Sequence, residues 1–276
     1  MDGEADYNAL WAAVIEAREA AKSDEGDHPR GSMEMWDARS AAYDREATAE
    51  GALEEAMVEV RPDETVLEIG AGTGRLSVPL ARRARSMTAL DISSGMLARL
   101  DQKMKSAGLT NYQCIRSRWE DVVVGRDVAV HDVVVDAWAL GFVDLRSQLE
   151  KMDAAARHAV YLFWHAGEWR DPQERALWES VFGRESARPY PDYLWVLHIL
   201  HDMEIYADVT IRSREIGMRF SSPRDAADHW NTFHVIPRGK EALVEEHFRH
   251  VLVPDGDGYM LRRKRRMAMI HWESDH

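Results

Sequence analysis

The stretch Val66-Leu67-Glu68-Ile69-Gly70-Ala71-Gly72-Thr73-Gly74 constrains the fold more than any other part of the chain. The apolar, β-branched run Thr65–Ile69 reads as a buried strand, and three glycines at alternate positions follow it. Glycines there let the chain turn sharply and let a ligand approach the backbone. A helical stretch marked by Leu76, Leu80 and Ala81 comes next, although Pro79 conflicts modestly with it. The turn therefore feeds a helix N-terminus, whose open N–H groups suit an anionic group.

The alternation continues downstream. Met87–Leu90 reads as a second strand, and Met96, Leu97, Leu100 and Met104 as one face of a helix closed by Gly108. Tyr112–Arg116 is a third strand, Val133–Asp136 a fourth and Ala159–Trp164 a fifth, with a helix through Leu145, Leu149 and Met152 before the last. Strands alternating with helices predict an α/β fold: a mostly parallel sheet with helices on both faces. Upstream, residues 1–60 read as helical. Tyr7, Leu10, Trp11, Val14 and Ile15 share one face, a loop spans Ser23–Gly31, and a helix through Leu53, Ala56, Met57 and Val60 stops before Pro62. Residues 168–258 break the rhythm with amphipathic helices and one candidate strand, Val209–Ile216; Tyr259–Trp272 reads as a closing strand.

Composition narrows the partners. The 276 residues carry 35 Lys+Arg against 48 Asp+Glu, a formal net charge of −13. So acidic a chain is a poor general binder of nucleic-acid phosphates or anionic lipid. The single cysteine, Cys114, excludes an internal disulfide framework and a multi-cysteine zinc site, and its strand position predicts a buried, inert thiol. No apolar run spans a bilayer and no signal peptide is visible, so a cytoplasmic protein is expected.

Asp91 ends the second strand 17 residues after Gly74, where an acid accepts two hydrogen bonds from a ribose diol. A nicotinamide site wants G-x-G-x-x-G; Gly70 and Gly72 fit, but the sixth position is Arg75. The observed E-x-G-x-G-x-G instead resembles the nucleotide-binding motif of class I S-adenosylmethionine-dependent methyltransferases. The resemblance implies a Rossmann-like sheet and S-adenosyl-L-methionine as cofactor. It places Glu68 near the aminoacyl end, with the loop of Gly70, Ala71, Gly72 and Gly74 beneath the cofactor. Leu90-Asp91-Ile92-Ser93-Ser94-Gly95-Met96-Leu97 resembles the family's second motif, which implies Asp91 on the ribose and Ile92 and Met96 flanking the adenine. After the third strand the family often has a short acid on the adenine amine. Here Arg118 takes that position with Trp119 beside it, and Glu120 or Asp121 are the substitutes. Asp136 and Ala137, with Trp138, end the fourth strand, which faces the methyl group in the family. Met35–Tyr43 resembles a helix that closes over the cofactor in the ubiquinone/menaquinone-biosynthesis-like branch, which adds Trp36 and Tyr43 as cofactor contacts.

These readings divide the chain into an N-terminal helical lid (1–60), a Rossmann-like cofactor domain (61–167 and 259–276) and a helical cap insertion (168–258). The cap carries Trp169, Trp178, Tyr190, Tyr193, Trp195, Tyr206, Trp230 and Phe233, which points to a small apolar or planar methyl acceptor. His165, just past the fifth strand, is the one candidate base or substrate contact. His198 and His201 share a helix face without a specified third ligand, so no metal is expected. The basic run Arg262–Arg266 reads as a surface strand with alternate residues on opposite faces, or as an RNA contact. The alternatives to a small-molecule methyltransferase are a non-catalytic nucleotide-binding scaffold, an RNA methyltransferase and a nicotinamide oxidoreductase. Oligomeric state is not legible.

Overall fold

The computed structural model describes residues 5–22, 32–50, 53–167, 172–183 and 191–274. The expected loop Ser23–Gly31 and the aromatics Trp169 and Tyr190 lie outside the described residues. Five strands form a parallel half-sheet: β1 (Thr65–Ile69), β2 (Ser86–Asp91), β3 (Tyr112–Arg116), β4 (His131–Ala137) and β5 (Ala156–His165). Three more are antiparallel additions: β6 (Asp208–Phe220), β7 (Val253–Asp255) and β8 (Gly258–Glu273). The order is β3-β2-β1-β4-β5-β8-β6, with β7 on β8. The expected Rossmann-like, mostly parallel sheet is what the chain builds.

Helices cover both faces. On one face α1 (Tyr7–Lys22), α5 (Leu145–Ala155) and α7 (Tyr193–Asp202) enclose Trp11, Leu67, Leu149, Val160, Trp164 and Leu200. On the other, α3 (Ser77–Ala81) and α4 (Ser94–Ser106) enclose Val66, Leu80, Leu100, Val135 and Phe163. Local signals fix the helix ends. Ser93 Oγ accepts from Met96 N at 3.1 Å at the start of α4. At its end Gly108 takes φ +69 while Leu109 N bonds Met104 O, a closure that a left-handed residue permits. Pro79 is the third residue of the short α3, where its missing N–H falls in the first turn and costs no helix bond.

A third core lies beyond the sheet. The β6–β8 ribbon pairs from Asp208↔His271 out to Phe220↔Tyr259, whereas β5 stops at His165↔Met267. Its outer half therefore overshoots the carboxyl end of β5. There α6 (Pro172–Phe182), α8 (Pro223–Phe233) and α9 (Glu241–Val251) bury Trp178, Met218, Phe220, Trp230 and Phe248 against it. Between this cap and α4 runs α2 (Met33–Glu50), which packs on both.

Three expectations change. The helix through Leu53–Val60 is only a 3₁₀ turn, Leu53–Met57, because Pro62 leaves too little chain for a longer helix. Residues 168–258 do not form a helical cap throughout. The apolar face of α7 belongs to the first sheet core, and β6 is a full sheet strand. Cys114 is exposed, since β3 is an edge strand. Partial burial and then Asp101 push its thiol above the ordinary value, so it stays protonated.

Trp11 links α1 to the sheet. It is fully buried, and its indole N–H donates to Phe142 O at 2.8 Å. Trp11→Ala is expected to lower unfolding stability by about 3–5 kcal/mol, read as a shift of the urea midpoint.

Candidate functional site

The glycine turn takes the shape its sequence demands. Gly70, Gly72 and Gly74 have φ of +69°, +54° and +83°. A Cβ on Gly70 would stand 2.4 Å from Ala139 Cβ, and one on Gly72 3.2 Å from Tyr43 Cε1. Asp91 fastens this turn to the end of β2. Its Oδ2 accepts from Gly72 N at 2.8 Å and its Oδ1 from Ser93 N at 2.9 Å, while Ala71 N donates to Leu90 O. Burial raises the Asp91 carboxyl more than these N–H groups lower it. Each carboxylate oxygen has a further lone pair, the capacity a ribose diol requires.

Helix α2 sits on this turn. Asp37 Oδ1 accepts from Gly95 N at 2.8 Å and from Ser93 Oγ at 2.6 Å, so it completes the N-terminus of α4. Those bonds hold its carboxyl below the ordinary value. Asp44 pairs with Lys103 on α4. Trp36 and Tyr43 stand edge to face at 5.7 Å, with Tyr43 against Gly72. Met96 is buried on α4 outside both sheet cores, and Ile92 is half-buried beside it. The turn after β3 is near, since Ser117 N donates to Asp91 O at 3.1 Å. Trp119, however, is buried in the first sheet core beneath the Lys151 ammonium, leaving Arg118 and Glu120 exposed on either side. The structure therefore brings the backbone of this turn to the site, and not the indole.

Acidic groups close the other side. Glu68 is buried and bonded to Ser77 Oγ at 2.5 Å; burial pushes it up to about 7. Asp136, also buried, accepts from Ala139 N at 3.0 Å through Oδ1, and its Oδ2 has no partner among the described residues. Burial, opposed by that one N–H and aided by Glu68, pushes Asp136 up to about 8. Ala137 is half-buried at the end of β4.

Trp138 follows with φ +70°, a left-handed conformation unusual for a bulky residue. Its indole N–H donates to Glu54 Oε1 at 2.9 Å. Glu54 is fully buried and pairs with Arg75 at 2.6 Å and Arg214 at 3.3 Å. Burial opposes its charge, but the two guanidiniums outweigh it and hold the carboxyl below its ordinary value. Arg75 thus occupies the place of a third nicotinamide-type glycine with an ion pair. The His165 ring lies 5.0 Å from that of Trp138, and burial followed by the charges of Arg265 and Arg18 pushes it down to about 3. Sequence reasoning missed Asp37, Glu54 and Arg214, because each acts through residues remote in sequence. Among the described residues no cluster of three metal-ligating side chains forms, and His198 stacks on Tyr7 at 3.9 Å.

The two buried acids make stability depend on pH. Folding raises both carboxyls, so the folded state holds protons that the unfolded chain releases. The contribution of these two acids is therefore fully present below their ordinary values of 3.8 and 4.5 and is lost as pH rises through about 7 and 8. Asp136→Asn, neutral at every pH, is expected to flatten this slope in urea titrations across that range.

Comparison with known proteins agrees with this geometry. Residues 66–159 match the family model of a methyltransferase domain. An uncharacterized protein of Haemophilus influenzae is 34% identical over 161 residues, covering 57% of each chain. The chain thus spans little more than half the length of this relative. Ribosomal RNA small subunit methyltransferase A of Thermotoga neapolitana is 32% identical over 77 residues, 28% of each chain. The structure of YcgJ from Bacillus subtilis superposes with a TM-score of 0.55 at 14% identity, covering 81% of this chain and 97% of that one. The left-handed glycine turn, the spare capacity of Asp91 and the unpartnered Asp136 Oδ2 fit a cofactor with a ribose diol and a cationic end. Residues 66–159 are thus similar to a methyltransferase domain, carried on a Rossmann-like fold.

Proposed function

We propose that this chain moves a methyl group from S-adenosylmethionine to a small acceptor held between the ends of β4 and β5 and the β6–β8 ribbon. The observation that carries this reading is Asp91, buried between the amides of Gly72 and Ser93 directly under the lid residue Tyr43. When bound, the cofactor supplies a methyl group already activated on a sulfonium. The protein's share is then positioning and the exclusion of water.

Asp91 would hold the ribose, and Ile92 and Met96 would flank the adenine. Glu68 and the turn from Gly70 through Ala71 and Gly72 to Gly74 would carry the aminoacyl portion. Trp36 and Tyr43 close the site from α2, and Asp136 and Ala137 border the reacting side. His165 at about 3 is a neutral imidazole at neutral pH and a weak proton acceptor. The site therefore suits an acceptor atom that is neutral and nucleophilic by itself, such as an amine, better than one needing a strong base.

Support for a small acceptor comes from the enclosure. The lid, ribbon and cap converge over the strand ends, and the net charge of −13 opposes a nucleic-acid backbone. The ribosomal RNA methyltransferase of Thermotoga neapolitana shares only 28% of this chain, so its acceptor does not transfer. The cap aromatics contribute less than their number suggests. Trp178 and Trp230 are spent on the cap's own core, Tyr193 and Trp195 on the sheet core, and Tyr206 is exposed.

Calorimetric titration tests the reading. Micromolar binding of S-adenosylmethionine and of S-adenosylhomocysteine is expected. Asp91→Ala should weaken both about tenfold or more while circular dichroism stays unchanged. A folded, ligand-free wild-type sample that binds neither would refute it.

A further inference from the structure

Lys151 reaches from α5 to the turn that follows β3. Its ammonium donates to Trp119 O at 2.5 Å, to Glu120 O at 3.1 Å and to Val122 O at 3.3 Å. A lysine ammonium has three N–H donors, so all three are spent on one turn. The same ammonium lies 4.6 Å from the centre of the Trp119 ring, whose face attracts a cation. Burial pulls the ammonium below its ordinary value, and the charges of Glu120 and Asp121 oppose that fall. The helix does not need this side chain for its own packing, since Leu149 and Met152 carry α5 into the sheet core. Carbonyl oxygens that converge repel one another unless a cation stands between them, so the shape of the turn depends on Lys151.

This contact fixes which way the other polar groups of the turn face. In a trans peptide a C=O and the N–H of the next residue point in opposite directions. Holding Trp119 O on Lys151 therefore aims the Glu120 N–H away from α5. The N–H groups of Asp121 and Val122 are spent inside the turn, on Arg118 O at 3.2 Å and Trp119 O at 3.1 Å. Those of Arg118, Trp119 and Glu120 have no hydrogen-bond partner among the described residues. The turn also leans on the end of β2. Ser117 N donates to Asp91 O at 3.1 Å, and Arg116 Nε to Ile92 O at 3.3 Å. A turn with open backbone donors thus stands beside the two residues that the methyl-transfer reading gives to the ribose and the base.

We propose that Lys151 is a positioning residue for cofactor recognition: by holding the carbonyls of Trp119, Glu120 and Val122 on α5, it presents the backbone donors of the turn to an acceptor nitrogen on the edge of the adenine. That the ligand is adenine rests on the methyl-transfer reading; the hold of Lys151 on the turn stands without it.

The test compares S-adenosylhomocysteine with S-inosylhomocysteine, which differs from it only at the edge of the base. Inosine carries a proton on the ring nitrogen N1 and donates where adenine accepts, so it meets open N–H groups with a donor of its own. Calorimetry on the full chain should show the adenosyl compound binding about tenfold more tightly. Lys151→Met keeps the apolar stem and removes the charge. It should weaken the adenosyl compound, leave the inosyl compound unchanged and so erase the preference, while Lys151→Arg retains part of it. Hydrogen exchange read by mass spectrometry should also quicken at Asp121 and Val122 in Lys151→Met without any ligand. Met152→Ala, the next residue on α5, lowers stability through the sheet core and should keep the preference. A Lys151→Met protein with wild-type preference and exchange overturns the proposal, as does a Met152→Ala protein that loses the preference equally. A wild-type protein that binds both compounds alike loses this proposal alone. One that binds neither loses the methyl-transfer reading and the adenine role with it.

Discussion

The buried carboxylate of Glu54 joins three parts of the chain that are remote in sequence. Arg75 stands directly after the glycine turn, Arg214 is on the ribbon and Trp138 follows β4, and all three meet Glu54 within 3.3 Å. A fully buried carboxylate is costly without partners, so breaking such a network typically costs about 3–5 kcal/mol. The network's value here is geometric. It holds Trp138 in its left-handed conformation, whose intrinsic cost is of order 1–3 kcal/mol, with the indole N–H on Glu54. It also ties the glycine turn to the β6–β8 ribbon.

The sheet explains why those two surfaces are neighbours. Parallel strands β1, β2, β4 and β5 all end on one edge, where their following loops diverge and leave a crevice. An ordinary α/β sheet stops there. The β6–β8 ribbon continues past that edge and brings its own core of Met218, Phe220, Leu261, Trp178 and Trp230. The cap is therefore a continuation of the antiparallel edge of the sheet, and its position over the crevice follows from the length of two strands.

Signals that act within a few residues were legible in the sequence. The glycine turn, the Gly108 stop and the five parallel strands follow from local sterics and hydrophobic period, and the structure has each of them. The contact of Asp91 with the glycine turn follows from a spacing within one strand-turn-helix-strand unit. What was not legible depends on register or on neighbours distant in the chain. The inward course of Arg263 and Arg265 follows from pairing with Ile216 and Arg214, about fifty residues away. The exposure of Cys114 depends on β3 being an edge. Leu200 and Ile199 read as part of a cap, but α7 lies against α1 and α5, which no local pattern shows. Glu54 carries no local signal, because its two arginines come from opposite directions along the chain.

Helix α2 bridges α4 and the ribbon. One part of it is held on α4 by Asp37 and Asp44, and another on the ribbon and cap by Arg45, which pairs with Asp225 at 3.0 Å and lies over Phe220 at 4.5 Å. The Asp37 contact is a helix cap, of order 1 kcal/mol. The Arg45 pair is partly exposed and screened, so it contributes up to about 1 kcal/mol. Neither is large beside the sheet cores, yet both are made by one helix. Seating Tyr43 over Gly72 and Arg45 on Asp225 and Phe220 are therefore parts of a single packing event.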